Sequence, residues 1–491
     1  MTRFTTVSDP SLSLWLSAVY EVAEQSLHSV QSSEPTDQHA AVLKHPMVQA
    51  AIRHVQTSAT SQAPFNPHLS LPAFHDPLTH ISHLTYTLAH AHIYKMKEIR
   101  DEIEEKLLRL YSDRDPNWSE CILKYTEYYW LGQKPHYNNW KIQGRDHLEY
   151  SVIRNRLKND ARVGLIGDWG TGMDDALKLV EAMLNENVDA IIHLGDVYYS
   201  GTDAEFQHHI VEILEQAMDH AGKRVPIFSI PGNHDYYAGA KGFYEQALRM
   251  NHHPDLDGWR QEASYFCLRT EDGMWQFLGM DTGLHGRSVF QDRPSHPVPP
   301  YVDESEIEWH YDKLNPERFQ GTTILLSHHQ LFSQHDKLRD DSTEPWLNGH
   351  LLSAFQSYFD QIEVWFWGHE HNLALFKDGT YNLSKGRLIG CSAYEENGDP
   401  YAPVDPSYAD HVPYLNTDTN WRVSSSSEDP KYFNHAFAIL DFSRKNSTDP
   451  IRCTYYMFPS WGQTPPDNWQ VKELYTESIS PAHCKISTAH H

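Results

Sequence analysis

Short polar strings stand where apolar runs end: Gly167-Asp168-Trp169-Gly170, Gly195-Asp196-Val197-Tyr198-Tyr199, Gly232-Asn233-His234-Asp235, Ser327-His328-His329 and Gly368-His369-Glu370-His371. Between them they offer carboxylate, phenolate, amide and imidazole donors. Such a mixture suits transition-metal cations. Two cations about 3.5–4 Å apart form the clamp used for in-line displacement at phosphorus, so the chemistry these residues point to is hydrolysis of a phosphate ester. Asp196 is the candidate bridge, because one carboxylate can hold both cations. Asn233 is a neutral oxygen donor, which limits the negative charge on its cation and preserves Lewis acidity. Any one of these strings alone would be an ordinary polar strand end; their joint recurrence is what carries the reading.

The strings must be positioned by the elements before them. Arg162–Ile166, Val188–Leu194 and Val225–Ile230 read as short buried strands. Met173, Leu177, Val180 and Leu184 recur at helical spacing between the first two. Thr202 with Glu205 has the form of a capping box, followed by the apolar face Phe206, Ile210, Ile213, Leu214 and Ala217. This βαβαβ order predicts a parallel sheet with right-handed crossovers, and ligands gather at the carboxyl ends of such strands. Further on, Ser264–Arg269 and Met274–Met280 flank Glu271-Asp272-Gly273 as a hairpin, Asp303–Leu314 and Leu347–Phe359 read as helices, and Thr322–Leu326 and Ile362–Trp367 as strands. Leu373–Phe458 reads as short strands and turns. The expected assembly is an α/β sandwich of two sheets with helices outside. Residues 1–155 read as a mainly helical N-terminal region, with a long connection over 31–75 and helical spacing from Asp76 to Leu110; the aromatic-rich segment 117–150 is expected to pack as helix on the main body. Residues 156–475 form the expected catalytic domain and 476–491 a tail.

The chain has 491 residues and a formal net charge of −26. Such a surface repels nucleic acid and anionic membrane, and no apolar run approaches a membrane span. The N-terminus lacks the pattern of a secretory signal, and five scattered cysteines without a CxxC fit a reducing compartment. The expected location is cytoplasmic, and the expected partner is a small phosphorylated substrate. The N-terminal region is read as a regulatory or dimerising cap. There are 33 histidines, so most stand outside the motifs; His193, inside a strand, reads as a core residue.

The motifs GDWG, GDVYY, GNHD, LLSH and GHEH resemble those of calcineurin-like metallophosphoesterases, and within that superfamily the chain is similar to the purple acid phosphatase branch over about residues 161–460. Gly170 stands where most other branches carry a histidine. The resemblance implies a four-layer α-β-β-α sandwich and a first metal held by Asp168, Asp196, Tyr199 and His371, with a second held by Asp196, Asn233, His328 and His369. It implies Fe(III) at the Tyr199 site, with Fe, Zn or Mn beside it, and attack on phosphorus by a metal-bound hydroxide. His234 then gives a proton or hydrogen bond to the leaving oxygen, with Asp235 holding its tautomer. Strand alternation sends neighbours to opposite faces, so His328 is read as the ligand and His329 as a substrate-pocket residue; Tyr198 is read as packed core. The implied activity is on phosphate monoesters. The alternatives are a phosphodiesterase acting on small diesters such as cyclic nucleotides or lipid headgroups, and a non-catalytic interaction module on the same fold.

Overall fold

The computed structural model describes residues 13, 14, 16–18, 20, 21, 124, 125, 127, 128, 135–286, 299–339, 343–396, 405–415, 433–460 and 470–482. The connection expected over 31–75 and the helices expected from Asp76 to Leu110 lie outside these residues.

Two six-stranded sheets form the centre. In the first, β1 (Arg162–Ile166), β2 (Ala190–His193) and β3 (Ile227–Ser229) are parallel neighbours. β10 (His435–Asp441) runs antiparallel beside β1, and β11 (Ile451–Phe458) and β12 (Lys472–Ile479) continue outward. In the second, β4 (Phe266–Arg269) makes the expected hairpin with β5 (Trp275–Gly279), and β5, β6 (Thr322–Leu326), β7 (Ile362–Trp367) and β9 (Gly386–Ile389) are parallel. β8 (Leu373–Leu375) closes the far edge.

Apart from the outer strands β11 and β12, the strands are buried on both faces, which is why they read as continuous apolar runs rather than alternating ones. Leu165, Ile192, Phe228, Phe277, Ile324, Phe366 and Ala438 interdigitate between the sheets. Outside the first sheet lie α1 (Asp174–Asn185) and a helix that begins at Asp203 and ends at Ala221, with Leu177, Met183, Leu214 and Met218 facing inward. A side chain at Gly164 would meet the Met183 sulfur at 2.2 Å, so a glycine is what lets α1 lie against β1. Outside the second sheet, the helices Glu304–Leu314 and Gly349–Phe355 bury Trp309, Leu314, Leu351 and Phe355. The architecture is therefore the expected four-layer α-β-β-α sandwich.

Two expectations of organisation need correction. Of the segment 117–150, the described residues 124, 125, 127 and 128 are helical as expected, whereas residues 135–150 pack on the main body as extended chain and turns. The Trp140 indole donates to the Ser305 carbonyl at 2.8 Å, the Trp309 indole to the Tyr150 carbonyl at 2.7 Å, and the Lys313 ammonium to the His147 carbonyl at 2.8 Å. Aromatic content predicted the packing; the backbone follows the surface it covers. The tail boundary expected at 475/476 falls inside β12, where Arg387 of β9 grips Glu477 through two hydrogen bonds of 2.8 and 2.7 Å. Lys472, Glu473, Thr476, Glu477 and Ser478 disguise this strand as a polar segment, because it lies at the sheet edge, largely in water.

Candidate metal centre

The cleft lies at the carboxyl ends of β1, β2, β3, β6 and β7, where the chain turns sharply. Asp168, Asp196 and His369 all take left-handed backbone angles (φ 54°, 70° and 74°). Such angles cost non-glycine residues on the order of 1–3 kcal/mol each and concentrate at functional sites. Glycines give the close approach: a Cβ on Gly232 would stand 2.1 Å from Asp196 Oδ1, and one on Gly368 would stand 2.6 Å from Asp168 Oδ2.

Two groups of donors form. In one, the ligand atoms of Asp168, Asp196 and His371 lie within 4.8 Å of one another; in the other, those of His328, His329 and His369 do. Asp196 joins them. Its Oδ2 is 3.3 Å from His328 Nε2, which is 3.1 Å from Asn233 Oδ1. On the opposite side His371 Nε2 is 3.4 Å from Asp168 Oδ1. The structure thus draws together Asp168, Asp196, Asn233, His328, His369 and His371, from segments far apart in the chain.

Tyr199 is not the phenol among these groups. That position belongs to Tyr198, whose hydroxyl donates to Asp168 Oδ1 at 2.8 Å and lies 3.4 Å from Asp196 Oδ2 and 3.2 Å from His371 Nε2. The Tyr199 ring packs with Met173, Tyr198 and Tyr394, while its N–H donates to Glu205 and its carbonyl accepts from His234. Counting positions along the motif assumed regular backbone, whereas Gly195 (φ 103°) and Asp196 turn the chain before the tyrosines are reached.

Asp235 also departs from its expected role. Its Oδ2 accepts the N–H groups of Gly232 and Asp196 at 2.6 and 3.0 Å, tying two motif loops together. His234 is instead oriented by the Tyr199 carbonyl, 2.6 Å from its Nδ1. The two residues begin a short helix, Asn233–Tyr237, where successive side chains diverge by about 100°. Alternation fails at His329 as well. β6 ends at Leu326, and the bend beyond it turns both imidazoles toward His369, with ring centres 5.2 Å (His328) and 4.5 Å (His329) away. Thr282 Oγ1 lies 3.0 Å from His329 Nδ1, and His329 Nε2 is buried with no protein partner among the described residues. His193 is a core residue, with Nδ1 on the Ser229 hydroxyl at 3.1 Å.

Burial raises the Asp196 carboxyl, yet the imidazoles of His328, His234 and His369 outweigh it and hold the group below the usual carboxylate range. Burial likewise opposes charge on His328 and His371, but Asp196 and Asp168 lift His328 to about 9, and Asp168 with Glu396 lift His371 to about 10. His369 falls to about 3 through burial and the neighbouring His328. These imidazoles and carboxylates hold protons in one another's company that cations would displace. A buried carboxylate pair ringed by imidazoles, with one ring nitrogen left without a partner, fits a two-cation centre.

Sequence reasoning gave no role to Glu396, whose carboxylate lies 3.2 Å from His371 Nδ1 in the manner of a carboxylate that steers a metal-binding imidazole. No motif marks it. None of the five motifs contains Thr282, which holds His329, either.

Residues 161–373 match the family model for calcineurin-like phosphoesterases. Over 253 residues the chain is 25% identical to the glycerophosphodiester phosphodiesterase GpdQ of Enterobacter lignolyticus, an alignment covering 51% of this chain and 80% of that protein. It is 22% identical over 193 residues to a probable glycerophosphodiester phosphodiesterase GpdQ of Arcobacter nitrofigilis, covering 39% of this chain and 59% of the relative. Among solved structures, phosphopantetheinyl hydrolase of Mycobacterium tuberculosis overlaps loosely, with a TM-score of 0.29 at 14% identity over 47% of this chain and 90% of that one. Protein TT1561 of Thermus thermophilus does so with a TM-score of 0.29 at 10% identity, over 48% and 93%. The family match and both relatives support assignment of residues 161–373 to the calcineurin-like phosphoesterase superfamily.

Proposed function

We propose that this chain is a two-cation phosphoester hydrolase whose substrates are small phosphodiesters. The observation that carries the first part is the joining of two donor groups through Asp196. The second part is supported by the two relatives, which are named as glycerophosphodiester phosphodiesterases, the second of them as a probable one. A monoesterase of purple acid phosphatase type is the second reading, favoured by the phenol that touches Asp168.

One cation would be held by Asp168, Asp196 and His371 with Tyr198 in place of Tyr199, and the other by Asp196, Asn233, His328 and His369. Bound there, the pair would supply Lewis acidity and a water of lowered pKa. The iron assignment rests on a phenol and therefore moves with it to Tyr198, leaving Fe, Zn or Mn for the second position. The residues of the chain do the rest. Asn233 Nδ2 donates to the Tyr237 hydroxyl at 2.8 Å, which aims its oxygen at the cleft. His234 commits Nδ1 to a carbonyl, so Nε2 is its nitrogen for proton exchange with the leaving oxygen. His329 Nε2 would donate to a phosphoryl oxygen, making it the substrate-pocket residue.

The net charge of −26 supports small substrates over nucleic acid. Among the described residues no helix is long and apolar enough to cross a membrane. Cys267, Cys391 and Cys453 are buried free thiols, which supports a reducing, cytoplasmic setting. The test is metal analysis of the purified protein followed by turnover of bis(p-nitrophenyl) phosphate, a glycerophosphodiester and p-nitrophenyl phosphate. The diesters should give kcat/KM at least about tenfold above the monoester, a gap of about 1.4 kcal/mol. A faster monoester would transfer the proposal to the second reading, and a metal-replete protein that hydrolyses none of them would end both.

A further inference from the structure

The loop 198–202 carries the Tyr198 phenol and the carbonyl that orients His234. It leaves the sheet after a single bridge, Gly170 to Val197. A buried carboxylate fixes it. Glu205 Oε1 accepts the Tyr199 N–H at 2.6 Å, while Oε2 accepts the N–H groups of Ser200 and Thr202 at 3.1 and 3.0 Å and the Thr202 hydroxyl at 3.2 Å. The capping box expected at Thr202 is present, but its glutamate does more than start a helix, since it gathers the backbone of the whole loop.

A further donor among the described residues comes from 188 positions away: the Ser17 hydroxyl reaches Oε1 at 2.7 Å. Ser17 is fully buried on a helical stretch that also buries Leu14, Leu16, Ala18 and Tyr20. Tyr20 meets His209 edge-on, with ring centres 5.5 Å apart, and His209 Nδ1 lies 2.8 Å from the Tyr198 carbonyl. His209 sits in a π-helical turn, Phe206–Val211, of the kind that re-aims a side chain inside a helix. Its ring fills the space above Gly172, where a Cβ would approach to 2.5 Å. Both anchors of the loop, Glu205 and His209, are therefore completed by the same N-terminal segment.

We propose that the N-terminal segment carrying Ser17 and Tyr20 is a positioning clamp: these two residues complete the surroundings of Glu205 and His209, and the loop presents Tyr198 and His234 in register only while they are docked. The proposal rests on the phosphoesterase reading of the cleft for its effect on turnover, but the ordering of the loop is measurable without any substrate.

The experiment uses the full-length, metal-replete protein with Ser17→Ala, Ser17→Thr and Tyr20→Leu. Amide hydrogen exchange is followed over 197–205, alongside kcat, KM and metal content. Ser17→Ala removes a hydrogen bond to a charged acceptor, so exchange in the loop should rise about tenfold or more. Turnover should fall by about the same factor, with KM within about twofold and metal content unchanged. Ser17→Thr, which restores the hydroxyl, should return both readouts toward wild type. Tyr20→Leu keeps apolar bulk but not the edge contact and should loosen the loop in the same sense; it serves if Ser17→Ala does not fold. Ser17→Ala and Tyr20→Leu proteins that melt earlier yet keep wild-type exchange at 197–205 and wild-type kcat would overturn the clamp. A wild-type protein without phosphoesterase activity would instead count against the reading of the cleft, while the exchange contrast would still decide the clamp.

Discussion

Exchanging one tyrosine oxygen for hydrogen separates two registers of the same motif. In Tyr198→Phe only the hydroxyl is lost, and with it contacts of 2.8 Å to Asp168, 3.2 Å to His371 and 3.4 Å to Asp196. A hydrogen bond to a charged group is worth about 1.5–3 kcal/mol. Tyr198 would itself be a donor to the first cation as well as a brace for Asp168 and His371, so its loss should weaken binding there by at least about 10–100-fold, the range that follows removal of a ligand's hydrogen-bond partner alone. Tyr199→Phe leaves intact the N–H that Glu205 accepts and the carbonyl that holds His234; it should therefore weaken cation binding less than Tyr198→Phe does. The assay is cation titration of metal-stripped protein against a fluorescent chelator, with stoichiometry checked by elemental analysis. A Tyr199→Phe protein that loses as much affinity as Tyr198→Phe, or more, refutes the placement argued above.

The remaining predictions concern the same cleft and the scaffold behind it. His234→Ala should reduce turnover by about 10²–10⁴-fold with cation stoichiometry unchanged; undiminished turnover would remove His234 from the reaction. Asp235→Asn weakens the tie between the Gly232 and Asp196 loops, so thermal stability should fall by about 1–3 kcal/mol while turnover per folded molecule drops far less than in His234→Ala; equal losses would return Asp235 to the orienting role. Away from the site, burial opposes charge on Glu477, but Arg387 and Lys385 outweigh it and pull the carboxyl down to about 2. A folded-state value below the unfolded one gives stability that is full above about pH 4.5 and is lost as pH falls toward 2, on the order of 3 kcal/mol in all. Urea unfolding of wild type and Glu477→Gln between pH 6 and 2 should therefore converge on acidification; parallel curves would show that the pair contributes nothing of the kind.

What the sequence made legible was whatever local order dictates. Apolar runs ending in Gly-Asp, Gly-Asn or Gly-His marked strand ends in advance, and the sandwich with its cleft followed. Side chains at those ends, Asp168, Asp196, Asn233, His328, His369 and His371, stand together in the structure. Reasoning by position failed one or two residues further on. Left-handed angles at Asp168, Asp196 and His369 break the alternation that would have told Tyr198 from Tyr199 or His328 from His329. The acceptor for His234 is a main-chain carbonyl, and because every residue carries one, composition gives no hint of it. Glu396 and Ser17 act across long stretches of chain, where no spacing rule reaches. β12 was hidden because an edge strand largely in water looks like a polar tail.

That last strand carries a consequence for how the molecule is built. Arg387 is completely shielded from solvent, with its guanidinium on the Phe376 and Gly386 carbonyls, on the half-exposed Asp378 and on Glu477. Its main counterion is 90 positions downstream. A nascent chain leaving the ribosome therefore holds this cation with only the half-exposed Asp378 as counterion until Glu477 is made, and a buried charge short of its partners is disfavoured. Arg387 stands in the second sheet and Glu477 in the first, so the two halves of the sandwich gain this tie only once β12, the last strand among the described residues, has been made.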